Sequence, residues 1–273
     1  MPRVAVLILN RNLPDLTNNL YSHIEEFEKK FVDIFILEAG SDKKNLSNNF
    51  SWHISDPLTK KNGLRYSKGM NLALLKLFES GEFENYDAFF LLNNDVQLPK
   101  YSVLERMLKI LDDVPKIGIL SPCSNLWGEK NYLIDEKTKF FWYIQNNAYL
   151  LRKEFIQSAM NKSPTMMNFL FDGNNFRGYL AESELIAKAY INGWAAAITA
   201  EVFIERDFSF LMKQSSLIKT DPFNKNRKLI LEEGRDWLKT KYGFNSKWDM
   251  HFYVKNFYDL FFQSNLNLLK YKL

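Results

Sequence analysis

Three carboxylates stand where a folded chain can put them to chemical use. Asp95 follows the wholly apolar run Ala88–Leu92 and the two amides Asn93 and Asn94. A carboxylate leaving such a strand faces the open end of a sheet rather than its core. Beside neutral amides it suits a hard divalent cation that keeps several waters and also binds phosphate oxygens. The same three residues equally make an ordinary turn, because Asn and Asp side chains bond their own backbone. Glu182 and Glu184 open a predicted helix that runs to Asn192. Glu182 shares a stripe with Leu185, Ile186, Ala189 and Tyr190, and an acid at the head of an apolar face is costly unless it borders a cleft or has partners. Glu184 is expected on the solvent side, paired with Lys188 four residues on. Both acids also complement the positive end of the helix dipole. His23, His53 and His251 lack ligand spacing, and the single cysteine, Cys123, excludes a disulfide framework and a cysteine-based zinc site.

Carboxylate chemistry of this kind needs a scaffold that ends several strands at one edge. Val4–Leu9 reads as a strand buried on both faces. Pro14 and Asp15 open a helix whose stripe is Leu16, Leu20, Ile24, Phe27 and Phe31. Val32–Leu37 is a second buried strand that ends in the loop Glu38–Asp42, and Phe50–Ile54 a short third. A helix between Gly63 and Gly81 carries Met70, Leu74 and Leu77; Ala88–Leu92 is the next strand. Ser102 and Glu105 read as a capping box ahead of Met107, Leu108 and Leu111, and Ile117–Leu120 as another strand. This alternation predicts a doubly wound α/β sheet. Ligands of such sheets bind at the carboxyl ends of the strands, which singles out the loops after Leu9, Leu37 and Leu92. Beyond residue 121 the pattern loosens. Phe140–Leu151 is strand-like, Lys153–Ala159 helical, Ala181–Asn192 a helix closed by Gly193, and Ala195–Ile204 strand-like. From about Leu211 the chain turns polar and basic, then helical.

Composition removes whole classes. With 46% hydrophobic and 25% charged residues the chain is globular rather than disordered or fibrous. At 273 residues it buries enough surface to need no metal or disulfide staple. A net charge of +4 without a basic, aromatic stripe argues against a nucleic-acid partner. No signal-peptide pattern follows Met1, and no apolar run approaches the roughly 18 residues of a membrane span. The expected location is therefore cytoplasmic.

The order of motifs resembles the family 2 inverting glycosyltransferases of GT-A fold, especially the bacterial O-antigen and capsule enzymes of rhamnosyltransferase type. Val4–Arg11 resembles the family's opening strand, which puts Asn10 and Arg11 at the nucleotide. Phe35–Asp42 resembles its Val-Asp-Asn-Gly-Ser-x-Asp segment, with Glu38 in the place of the acid that contacts the nucleoside, Gly40 in that of the glycine, and Ala39 where Asn is usual. Gly63–Asn71, with Arg65, Lys68 and Asn71, resembles the glycine-rich stretch ending in Asn. Leu91–Val96 resembles the Leu-Asn-x-Asp-Val form of the metal motif, with Asn93 and Asn94 at the donor and Asp95 at the metal; only its last position is acidic. Ala181–Leu185 resembles the Glu-Asp-x-Asp-Leu motif, in which the second acid is the catalytic base. That acid maps onto Glu182, with Glu184 the further acid and Ala181 in the place of the first. Gly193-Trp194 matches the Gly-aromatic that follows, and Lys241-Tyr242-Gly243 the late Lys-Trp-Gly element. Glu205-Arg206 stands near the place of the family's His.

The resemblance implies a GT-A-type doubly wound, mixed and mostly parallel sheet flanked by helices, with a catalytic core over 1–210 and a helical extension over 211–273. Within the core it implies a nucleotide-sugar half to about 121 and an acceptor half over 122–210. It implies transfer of a sugar from a nucleotide diphosphate donor to a glycan or lipid-linked acceptor, with Mn or Mg as cofactor. Arg65 and Lys68 assist at the diphosphate or are solvated helix charges. A non-catalytic GT-A-like domain that binds nucleotide or glycan is the rival reading. The aromatic tail (Phe252, Tyr253, Phe257, Tyr258, Phe261, Phe262, flanked by Lys255, Lys270 and Lys272) is expected to serve a homodimer or a peripheral contact with the inner membrane face, unless it packs on its own core.

Overall fold

The first strand, β1 (Val4–Asn10), is apolar at every position but its last and lies between two parallel neighbours, β2 (Val32–Ala39) and β4 (Ala88–Asn93). The computed structural model describes residues 2–144, 148–206, 217–218 and 221–273. Within them one eight-stranded sheet forms in the order β3 (Trp52–Ile54), β2, β1, β4, β8 (Ala148–Arg152), β6 (Ile117–Cys123), β9 (Ala195–Phe203), β7 (Thr138–Phe140). The four strands from β3 to β4 are parallel. β8 runs against both β4 and β6, and β7 runs against β9. The sheet is thus mixed and mostly parallel, as the alternation of elements predicts. The connection reverses at β1, so the carboxyl ends of β1 and β4 meet at a topological switch point. A separate ribbon of two residues per strand pairs β5 (Val96–Gln97) with β10 (Glu205–Arg206), placing Arg206 opposite Val96.

The helices α1 (Pro14–Phe27) and α3 (Arg65–Glu79) flank this half of the sheet. α3 presses so close to β1 that a Cβ on Gly69 would come within 2.5 Å of a Leu9 methyl. Between them the short α2 (Pro57–Asn62) has no apolar stripe to betray it in the sequence. It is started by Asp56, whose carboxylate accepts from Leu58 N and Thr59 N at 3.1 Å each. The cap of α4 (Val103–Asp113) differs from the expected box. Ser102 Oγ accepts from Glu105 N at 3.1 Å, but the reciprocal acid is the distant Glu28, which takes Val103 N at 2.5 Å and Leu104 N at 3.2 Å. Of the expected run Phe140–Leu151, Phe140 closes β7 at the sheet edge and Ala148–Leu151 lie in β8 in its interior, which α5 (Lys153–Ala159) follows.

The expected boundary at 210/211 lies outside the described residues. Beyond it α7 (Phe223–Tyr242) and α8 (Lys247–Ser264) follow. α8 packs on α6 (Ala181–Ile191) and buries Val254, Tyr258, Phe261 and Phe262 in the main core, while Met250 is buried with Trp237 and Leu238 of α7; Phe140 stacks with Tyr271 at 5.1 Å. The aromatic tail therefore has a core face, while Trp248 and Phe252 stay 59% and 67% exposed. No helix among the described residues is long and apolar enough to cross a membrane.

Candidate active site

The parallel register sets Asn10 beside Glu38 and Leu9 beside Asn93, so three strand ends open on one point. A cleft of about 240 Å3 lies there, lined by Asn10, Arg11, Ala39, Arg65, Tyr66, Asn93, Asn94, Asp95 and Arg206 among others. Its floor is a saturated polar network. The fully buried Glu38 accepts from Asn10 Nδ2 at 3.0 Å, Ser47 N at 2.8 Å, Ser47 Oγ at 2.6 Å and the Ser41 hydroxyl. Asn10 Oδ1 in turn accepts from Leu13 N and from Asn94 Nδ2. Gly40 allows the loop to turn here, because at φ +88° a Cβ would lie 2.3 Å from Thr59 O. Glu38 and Gly40 thus shape the cleft from behind its lining.

Arginines supply the charge. Arg11 Nη2 donates to the carbonyls of Lys60 and Lys61 at 3.0 and 3.1 Å, and burial lowers its pKa. Arg65 is brought down to about 10, first by burial and then by the repulsion of Arg177 and Arg11. The cleft is a concentrated positive site, suited to a diphosphate. Three buried polar atoms on its lining, Arg11 Nε, Tyr66 OH and Asp95 Oδ1, have no hydrogen-bond partner among the described residues. Such atoms in a native fold call for a ligand.

Two of the expected donor residues stand apart from this lining. Lys68 lies over the Phe176 ring at 5.4 Å. Asn71 is fully buried, and its side chain bonds to one loop: Nδ2 donates to Met166 O and Phe171 O, and Oδ1 accepts from Leu170 N and Phe171 N. The histidines serve packing: His23 and His53 meet backbone carbonyls, and His251 lies against Tyr143 and Trp248.

Asp95 is 4% exposed, and its Oδ2 is bonded by Arg206 Nε. Whether a divalent cation fits here follows from the donor set. Among the described residues no three His, Cys, Asp or Glu side chains come together as a metal group. The one carboxylate already carries a guanidinium, which repels a dication at the same oxygens. As the chain stands, these residues do not fit a resident Mn or Mg ion.

Glu182 and Glu184, two residues apart on α6, have opposite surroundings. Burial raises the half-buried Glu182 to about 7, offset in part by a hydrogen bond from its own backbone N–H and by the attraction of Arg206. Tyr66 feels its charge in turn, so Glu182 is coupled through space to two residues of the cleft lining, Tyr66 and Arg206, without lining it itself. Glu184 is buried rather than solvent-facing. Its partners are Lys241 Nζ at 2.5 Å and Tyr242 OH at 2.6 Å, whereas Lys188 donates to Leu170 O. Lys241 also reaches Asp172 at 2.6 Å. Arg65 itself and Leu180, just ahead of α6, hold φ of 59° and 56°. Each costs about 1–2 kcal/mol, a strain that collects at working sites. Two larger cavities, about 470 and 640 Å3, open beside Asp172 and Lys241. The strand-end cleft is preferred on chemistry, since it joins the switch point to three arginines, Arg11, Arg65 and Arg206.

No family model matches the chain, and no curated protein matches its sequence. Solved structures match its fold. A mannosyltransferase of Pyrobaculum calidifontis, PcManGT, solved with GDP-Man and Mn2+, aligns at TM-score 0.53 and 13% identity over 85% of this chain and 69% of that one. S. aureus TarS 1–349 in complex with UDP aligns at 0.53 and 13% over 88% and 73%. GalNAc-T7 with UDP, GalNAc and Mn2+ aligns at 0.58 and 9% over 98% and 57%. At such identities the likeness is one of fold, and the fold is GT-A.

Proposed function

We propose that the chain is an inverting glycosyltransferase that moves a sugar from a nucleotide diphosphate donor to an acceptor hydroxyl. The observation that carries this reading is a cleft at the strand ends lined by Arg11, Arg65, Asp95 and Arg206, with Glu182 within electrostatic reach of its Tyr66 and Arg206. An acceptor hydroxyl has a high pKa, so a positioned carboxylate must take its proton as the new bond forms, and a base titrating near working pH does this best. Glu182 is that base. Arg11, Arg65 and Arg206 hold the diphosphate, Asn10 and the Glu38 network shape the nucleoside side, and Asn93 and Asn94 face the sugar. One displacement at the anomeric carbon, with base and leaving group on opposite sides, inverts its configuration. The motif order supports a glycan or lipid-linked acceptor of the kind built into bacterial surface polysaccharides.

A panel of UDP-, GDP- and dTDP-linked sugars, assayed for released nucleoside diphosphate, tests the reading. One donor should be hydrolysed slowly by the parent and not by Glu182→Gln. The thinned acidic set around Asp95 favours a second reading, a non-catalytic nucleotide-binding domain. Nucleotide binding with no turnover of any donor, whatever acceptor glycan is added, would establish that one instead.

A further inference from the structure

We propose that Arg206, held by Asp95, supplies the positive charge that neutralises the departing diphosphate, so that transfer needs no divalent cation. This rests on the transferase reading above. The pairing is built by the fold rather than by chance rotamers: the β5–β10 ribbon sets Arg206 opposite Val96, the residue next to Asp95, and the guanidinium bonds Asp95 Oδ2. Both side chains line the same cleft as Arg11 and Arg65. A guanidinium is always charged, and its planar fork matches phosphate oxygens. It does here what a dication does elsewhere, at the carboxylate that lines the cleft.

The chemistry balances with the residues present. The acceptor oxygen forms its bond to the anomeric carbon as the bond from that carbon to the phosphate oxygen breaks. The electron pair leaves on the diphosphate, which gains one negative charge. The acceptor proton passes to Glu182, and Arg206 keeps all of its own. Asp95 Oδ1, buried and without a partner among the described residues, is left to accept a hydroxyl of the sugar or ribose. Arg206 also attracts the Glu182 carboxylate, so one cation serves base and leaving group together.

Calorimetric titration with UDP, GDP and dTDP, in excess EDTA and in Mn2+, tests this. The parent should bind one of them equally in both, within about twofold. Arg206→Ala should weaken that binding roughly 10–100-fold, as the loss of a charge-assisted contact does. Mn2+ should not restore it, and Arg206→Lys should recover part. The electron paramagnetic resonance signal of Mn2+ should be unchanged by protein with or without nucleotide. Arg206→Ala should also shift the acid limb of donor hydrolysis to higher pH, an effect that a merely structural arginine would not produce. Binding that requires Mn2+, or that Arg206→Ala leaves intact, overturns the proposal while the transferase reading stands. Absence of nucleotide binding under both conditions overturns both. Should Arg206→Ala fail to melt cooperatively, the Arg206→Lys variant and the Mn2+ signal decide alone.

Discussion

The strand-end cradle and the α6–α7 junction handle buried polarity in different ways. In the cradle, side chains at β-strand ends satisfy one another across parallel neighbours: Glu38 takes four donors from residues within reach of the β1 and β2 termini. The result is fixed before any ligand arrives. At the junction, charges are joined across long sequence gaps, with Lys241 clamped between Glu184 and Asp172. Beside that clamp Glu182 keeps a carboxyl raised by burial rather than one locked in an ion pair. The cradle positions, the clamp orients α6, and the carboxyl left at an elevated pKa is the group able to exchange a proton.

Removing the C-terminal helix should break this arrangement most. α8 buries five side chains, four in the main core and one against α7, worth about 7–15 kcal/mol at roughly 1.5–3 kcal/mol each, as much as a whole domain's stability. A chain ending before Asp249 should show no cooperative melt. A truncated chain that melts at the parent's temperature would show that the core stands without the helix.

Next in size is Glu182→Gln, expected to cost about 10²–10⁴-fold in donor turnover at unchanged nucleotide affinity. The base works as the carboxylate. With its pKa raised to about 7, the parent's rate should fall as pH drops through 7 instead of near the ordinary carboxylate range. A limb near 4.5, or a Glu184→Gln variant that is the crippled one, would move the base elsewhere.

The two satisfied acids then separate cradle from clamp. Glu38→Gln puts an amide donor among four donors in a fully buried site and should cost about 2–3 kcal/mol, together with nucleotide affinity. Glu184→Gln keeps an acceptor for Tyr242 and leaves Lys241, partly exposed, with Asp172. It should cost about 1 kcal/mol and leave turnover per folded molecule unchanged. Equal melting losses in the two variants would erase the distinction between the regions.

What was legible in the chain follows the same division. The apolar runs Val4–Leu9, Val32–Leu37 and Ala88–Leu92 are local signals, and they put the cleft at the three loops where it lies. Partners far apart in sequence left no such trace. Spacing pairs Glu184 with Lys188, but burial of that face gave Glu184 to Lys241, 57 residues away. Asn71 carries a nucleotide-binding motif by resemblance, yet its amide holds a loop about 100 residues on. Arg206 reaches Asp95 through strands of two residues, too short to show any period. Lys241-Tyr242 did stand out by resemblance, though only the fold reveals Glu184 and Asp172 as its partners.

The smallest effect belongs to the outer face of α8. Trp248 and Phe252 lie one helical turn apart and are 59% and 67% exposed, whereas Tyr258 on the same helix is fully buried. Exposed side chains away from special contacts change stability by less than about 0.5 kcal/mol, so Trp248→Ser with Phe252→Ser should melt like the parent. Tyr258→Ala should lose several kcal/mol by comparison, since a large aromatic leaves a cavity. The pair of variants tests whether the aromatic tail has one packed face or two. A melting loss in the serine variant that grows with protein concentration would mean that a second copy covers this face. Sedimentation of the parent should then show dimer that the variant lacks. Unchanged melting and sedimentation, with loss of binding to anionic vesicles, would assign the face to a membrane surface instead. A variant that matches the parent in all three measurements leaves α8 as a packing element alone.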